Sequence, residues 1–176
     1  MAGEGNGWAA GPNGSQLWGR FGAAGLLLFS PHSILLQHRA AWTAQGNTWA
    51  LPGGARDPGE TARMAAAREA WEETRISDTQ FTFVREIRTS GPFPADPARP
   101  ELAGEWTYTT VLAFSEQELA TEANEESLEL LWVPFADVAT YNLLPAFGSA
   151  WPQLYAAVAE YLHDCHNIEL PAPYNT

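Results

Sequence analysis

The 176-residue sequence predicts an α/β fold, a mixed central sheet between helices, and three observations carry that expectation. Apolar runs of strand length recur on both sides of one helical segment. A second amphipathic stretch closes the chain. Clusters of Pro, Gly, Asn and Asp punctuate the joins. With 45% hydrophobic residues, the chain is long enough for one domain with a substantial core and too short for two comfortable ones. The expected division is an N-terminal segment over 1–20, the folded domain over 21–167, and a loose tail over 168–176 that carries Pro171 and Pro173.

Residues 1–20 are Gly-rich, the first five reading as disordered. Trp8 to Trp18 reads two ways, as a flexible tail or as a hairpin turned by Asn13-Gly14 with a Trp on each arm. Gly22 to Phe29 is a buried central strand, and Ser33 to Arg39 a second one after Ser30-Pro31-His32. The loop 40–47 carries Trp42, which such a loop uses more often to cap the core than to stack on a base.

The stretch from Trp49 to Ile76 organises the rest. Leu51-Pro52-Gly53-Gly54 brings bare backbone up to a helix whose Glu69, Glu72 and Glu73 fall within about a quarter turn of one face. Met64, Ala67 and Trp71 recur on the opposite face, which is expected to be the buried one; Ala65 and Ala66 lie on the carboxylate side. Asp57-Pro58-Gly59 makes a turn before the helix, and Thr61 is its N-cap. Oxygen ligands beside an approachable carbonyl suit a hard divalent cation such as magnesium.

Beyond it, Phe81 to Thr89 alternates as a strand, with Arg85 on an exposed or site-facing side. Residues 91–104 hold four prolines and read as a loop too proline-dense for a ladder. Trp106 to Phe114 is strongly β in composition, the run ending at Pro134 is a last strand, and Trp151 to His163 is the closing helix with Leu154, Val158, Tyr161 and Leu162 inward.

These residues resemble the Nudix box, G-x5-E-x7-R-E-U-x-E-E-x-G-U, where U is aliphatic. Gly54 opens it, then come Glu60, Arg68-Glu69, Ala70 as the first U, Glu72-Glu73, and Ile76 to close. Arg75 stands where the family has glycine. Glu126 and Glu129 with Trp132, Val133 and Pro134 also look Nudix-like. The resemblance implies an α/β/α sandwich and a hydrolase that cleaves a phosphoanhydride bond with Mg2+ or Mn2+.

By position, the resemblance implies Glu69, Glu72, Glu73 and the carbonyl of Gly53 as metal ligands, Glu73 foremost. It implies that Arg68 pairs with Glu60 to orient the acids. The water-activating base varies in the family; Glu69, Glu73 and the loop residue Glu126 are the candidates, although Glu126 also reads as a solvated acid. Arg39, Arg56 and Arg85 are the basic residues nearest the inferred site, where guanidinium forks would suit phosphates; each alone equally reads as a surface charge.

The substrate class expected first is a nucleoside diphosphate linked to another group, of the nucleotide-sugar or ADP-ribose type; Pro92, 16 residues past Ile76, is a weak pointer to it. The alternatives are a nucleoside triphosphate pyrophosphohydrolase clearing oxidised or non-canonical nucleotides, and a Nudix domain that senses a nucleotide without turnover. The net charge of −12 argues against a nucleic-acid polymer or an anionic membrane as partner, but not against a nucleotide. The single Cys165 fits a reducing cytoplasm and excludes an internal disulfide; with His163 and His166 it makes too small a cluster for zinc. No signal peptide or membrane span is expected, and a homodimer is compatible with the pattern.

Overall fold

The computed structural model describes residues 4–172. Among them are nine strands and two α-helices: β1 Trp8–Ala10, β2 Gln16–Trp18, β3 Ala23–Phe29, β4 Ser33–Arg39, β5 Trp49–Ala50, β6 Gly53–Ala55, α1 Ala62–Thr74, β7 Thr82–Phe93, β8 Trp106–Phe114, β9 Ser127–Pro134 and α2 Pro145–His166. Seven strands form one sheet in the order β5-β4-β3-β8-β7, with β6 on β3 and β9 on β4. The pair β3–β8 is parallel and its neighbours are antiparallel, so the sheet is mixed as expected.

All seven residues of β3 are buried, because helices cover both faces. Leu27, Phe29, Ile34, Leu36, Leu112 and Phe114 pack on Leu154, Val158 and Leu162 of α2. Ala24, Leu26, Leu28, Leu35, Val111 and Ala113 pack on α1. β3 meets β4 in the register Phe29↔Ile34, while β6 takes the edge of β3 from Ala23 to Gly25. The start of β3 therefore faces the Gly53-Gly54 backbone, which draws α1 onto the sheet.

The buried face of α1 is the reverse of the expected one. Ala62, Ala65, Ala66, Ala70 and Glu73 are buried, while Met64 and Trp71 are about half exposed. Four alanines spaced i, i+3, i+4 and i+8 let the helix lie close against the sheet, and that close approach outweighs the larger apolar area on the other side. Thr61 caps the N-terminus by accepting a hydrogen bond from the Met64 N–H at 3.2 Å. At the C-terminus Arg75 is left-handed, φ 61°, its N–H donating to the Trp71 carbonyl.

Of the two readings of the N-terminal segment the hairpin is the one formed, Trp8 opposite Trp18. Other expectations are revised at the edges. β7 runs through Pro92 to Phe93 because three register shifts along its pairing with β8 accommodate the proline at a sheet edge. Trp42 does not cap the core; it is 68% exposed. The tail is fastened in part, since Ile168 and Leu170 pack on the core and the Tyr155 hydroxyl donates to the Pro171 carbonyl at 2.6 Å. The expected disorder at residues 1–3 and the tail's last four residues lie outside the described residues. No helix among the described residues is long and apolar enough to cross a membrane.

Candidate active site

A cleft of about 800 Å³ opens at the end of the sheet where β3 and β8 begin, within the usual range for a small-molecule site. Glu69 and Glu72 of α1, Gly53 and Gly54 of β6, Arg39 at the end of β4, and Glu126 before β9 all border it. Aromatic side chains also line it, Trp8, Trp18, Trp42, Trp106 and Tyr108 among them.

Glu73, the most buried of these acids at 2% exposed, lies behind the cleft wall rather than on it. Its Oε2 accepts a hydrogen bond from the Gly53 N–H at 3.1 Å. Burial pushes its pKa well above the ordinary carboxylate value, the charges of Glu69 and Glu126 add to that, and hydrogen bonds from Gly53 and Gln37 only partly oppose it. Burial also raises Glu69, with Glu72 and Glu126 adding to the shift against the pull of Arg68. Tyr108, partly buried in the cleft wall, has its phenol raised by desolvation and by the charge of Glu73. Gly54 lacks a side chain for a definite reason: a Cβ there would stand 2.5 Å from Glu69 Oε1.

Arg68 is the hub of the loop–helix join. Its Nε and Nη2 donate to the two oxygens of Glu60 at 2.9 and 3.0 Å, Nη1 donates to Glu69 at 2.8 Å, and Nη2 also donates to the Ala55 carbonyl at 2.9 Å. Burial pushes Glu60 up, but hydrogen bonds from Arg68 and the Asp57 N–H outweigh it and leave its carboxyl below the ordinary range. The pairing with Glu60 expected from the sequence is thus present, and the same guanidinium also restrains Glu69.

The three arginines expected near phosphates separate. Arg39 borders the cleft, its guanidinium donating to the Ala44 carbonyl. Arg56 is spent on the Glu60 carbonyl, 2.6 Å from Nη2, and helps hold the turn before α1. Arg85 is not brought to the cleft: it pairs with Glu160 of α2 at 2.9 Å on the other side of the sheet, because its place on β7 projects it towards that helix. Missed in the sequence were Gln37 and Tyr108. Gln37 is buried, donates to Ser127 Oγ at 2.8 Å, hydrogen-bonds Glu73, and keeps its Oε1 without a partner. Its only signal was a polar residue in the apolar run of β4.

Among the described residues, no three His, Cys, Asp or Glu side chains already converge on one point as a ligand set. The donors nevertheless fit a hard divalent cation. A buried carboxylate whose charged neighbours are other carboxylates is costly until a cation joins it. Glu72, 54% exposed at the side chain and 3.8 Å from Arg68 Nη1, and Glu69, 2.8 Å from the same nitrogen, need only exchange Arg68 for a cation, and all the donors are oxygen.

A family model described as the NUDIX domain matches residues 19–154. A Mycobacterium tuberculosis protein provisionally named 8-oxo-dGTP diphosphatase 3 is 43% identical over 164 residues, which cover 90% of this chain and 73% of that protein. The crystal structure of a Nudix hydrolase from M. smegmatis, RenU, is 42% identical, with a TM-score of 0.79 over 89% of this chain and 96% of that one. At 21% identity the likeness is of fold alone: a bifunctional NMN adenylyltransferase/ADP-ribose pyrophosphatase from Francisella tularensis, solved with AMP and a manganese ion, has a TM-score of 0.61 over 78% of this chain and 42% of that one.

Proposed function

This chain belongs to the NUDIX family and is a hydrolase of phosphoric anhydrides, and from that premise we propose a nucleotide as its substrate and a small set of side chains as its machinery. Glu69, Glu72, Glu73 and the Gly53 carbonyl would hold a magnesium or manganese ion. When bound, that ion neutralises charge on the phosphates and helps to activate water. Arg68 and Glu60 fix the helix against the β6 turn, so that the carboxylates project from a rigid element. Glu126 is the residue to accept the water proton: it borders the cleft, and its charge is felt by both Glu69 and Glu73. Water oxygen bonds to phosphorus, the anhydride P–O bond breaks, and its electron pair leaves on the departing phosphate. Arg39 is the guanidinium placed to meet a phosphate oxygen.

The observation that carries this reading is the buried Glu73 carboxylate, with acids for charged neighbours, beside an aromatic cleft. For the substrate class we favour an oxidised or non-canonical purine nucleoside triphosphate, cleaved to monophosphate and pyrophosphate. The provisional name of the 43% identical relative supports that choice. An ADP-ribose-type nucleoside diphosphate remains the second reading, favoured by a cleft roomy enough for a group on each side of the pyrophosphate. The pointer from Pro92 to that reading weakens, because Pro92 sits inside β7 rather than in a loop.

A panel of 8-oxo-dGTP, dGTP and ADP-ribose, assayed with Mg2+ and Mn2+ and resolved by product, tests the proposal. Pyrophosphate released fastest from 8-oxo-dGTP is expected. AMP from ADP-ribose as the dominant product would replace the first substrate with the second, and no turnover of any nucleotide would overturn the activity.

A further inference from the structure

We propose that the paired indoles of Trp8 and Trp18, on the β1–β2 hairpin, form the surface against which the substrate's base stacks. The inference rests on the nucleotide reading above and gives it a base-binding wall. Among the described residues four tryptophans are markedly exposed, Trp8 at 45%, Trp18 at 44%, Trp42 and Trp71, and three of them border one cleft. That clustering sets them apart from scattered surface apolar groups and marks a binding surface.

The hairpin is built to hold its rings still. A two-stranded hairpin alone is marginal in water, and this one is fastened to the domain along its length. The Ala10 N–H donates to the Ala103 carbonyl at 2.8 Å, and the Ala103 N–H donates to that of Trp8 at 3.2 Å. Trp106 Nε1 donates to the Trp18 carbonyl at 3.1 Å, and Arg99 Nη1 donates to the Gly14 carbonyl at 2.7 Å. Ala9 is buried, and Leu17 packs against the same small cluster with Trp106. The inward residues and the backbone anchor the hairpin, leaving both indoles turned to the cleft.

The rings meet edge to face, centroids 5.0 Å apart at 77°, so each fixes the other while nearly half its surface stays open. A base arriving there meets a surface already ordered, which lowers the entropy cost of binding. The polarity of the cleft agrees: Glu69 and Glu72 of α1, the acids for metal, border it beside the bare Gly53-Gly54 backbone of β6, and the indoles border it at the hairpin. The family model begins at residue 19, just after the hairpin ends. Phosphate chemistry thus belongs to the shared domain and base contact to the element that precedes it. The long segment between β7 and β8 gains a role as well, since Arg99 and Ala103 are the struts that hold this wall.

The test is titration calorimetry of GDP in EDTA, beside steady-state kinetics with Mg2+ on dGTP and on the base-free deoxyribose triphosphate. Trp18→Ala and Trp8→Ala should each weaken GDP binding and raise KM for dGTP roughly tenfold to a hundredfold, the usual worth of base–aromatic stacking. The value of kcat should stay within about threefold and base-free turnover should not change, while Trp18→Phe restores most of the affinity. Melting curves confirm that the variants are folded. GDP affinity unchanged in both alanine variants, or lost only in Trp42→Ala, would overturn the proposal. If the parent binds GDP through Trp18 yet hydrolyses no nucleotide, the activity falls and the subsite stands. If nucleotides turn over with a KM indifferent to both indoles, the subsite falls and the activity stands.

Discussion

At the scale of single residues, Glu73 and Arg75 make opposite demands on α1. The pKa of Glu73 is raised in the fold, so the folded chain binds its proton more tightly than the unfolded chain does. Its contribution to stability is therefore full below the ordinary carboxylate pKa and is lost as pH rises through the folded value. In EDTA, the parent should lose stability as pH climbs out of the acid range, and Glu73→Gln should lose less; melts at several pH values check it. The same variant should lose about a thousandfold or more in kcat/KM with Mg2+, several kcal/mol of transition-state stabilisation. Activity within a few-fold of the parent would remove Glu73 from the machinery. Arg75 holds a left-handed conformation that disfavours a Cβ by about 1–2 kcal/mol, and its guanidinium recovers part of that over the Trp71 ring, 5.4 Å from the centroid, and at the negative end of α1. Arg75→Gly should shift stability by less than about 1 kcal/mol, with glycine gaining as salt screens the charge. Melting both proteins at low and high salt decides it, and a clear loss at high salt would mean that the ring contact dominates.

At the scale of elements, α1 and the turn before it stand or fall on Arg68. Removing it leaves Glu60 and Glu69, 10% and 14% exposed at the side chain, without their shared cation. Arg68→Ala should cost toward the lower end of the roughly 3–5 kcal/mol typical of a broken buried pair, because Arg68 itself is 30% exposed. Urea denaturation measures the loss; Arg68→Lys should recover only part, since an ammonium cannot span both Glu60 oxygens. The box was legible in the sequence because it depends on fixed offsets along one turn-and-helix unit, and Glu60, Arg68 and Glu69 meet as the spacing implied. The direction in which the helix faces was not. Met64 and Trp71 carry more apolar area than Ala62, Ala65, Ala66 and Ala70, yet the narrow stripe wins because it fits the sheet. Arg85 and β7 were misplaced for a related reason: the bulges along β7 and the position of α2 are tertiary facts that a local pattern does not contain.

At the scale of the whole molecule, the domain joins a helix–sheet–helix core to a negatively charged mouth. A cation that binds only the folded state stabilises it by mass action and relieves repulsion among Glu69, Glu73 and Glu126. Millimolar Mg2+ should raise the melting midpoint by about a degree or two, as expected for weak sites in a domain of this size. Scanning calorimetry of the parent beside Glu73→Gln checks this, and equal shifts in the two would place the ions elsewhere. The central strands of the core were readable from composition, since β3 and β8 are largely apolar runs and β4 carries Ile34, Leu35 and Leu36 in succession. How the cleft is walled was not readable, because Trp8, Trp18 and Trp42 come from two distant segments whose meeting depends on the register of β1 on residue 103. The alanine stripe beneath α1 also has a consequence for the protein's history. It works as a calliper that sets how far the carboxylates reach, so one added methylene at Ala65 or Ala66, each fully buried, would move the acids without touching the cleft. A lineage could fall silent through such a change while its signature residues stayed intact, and a motif search would still count it as an enzyme.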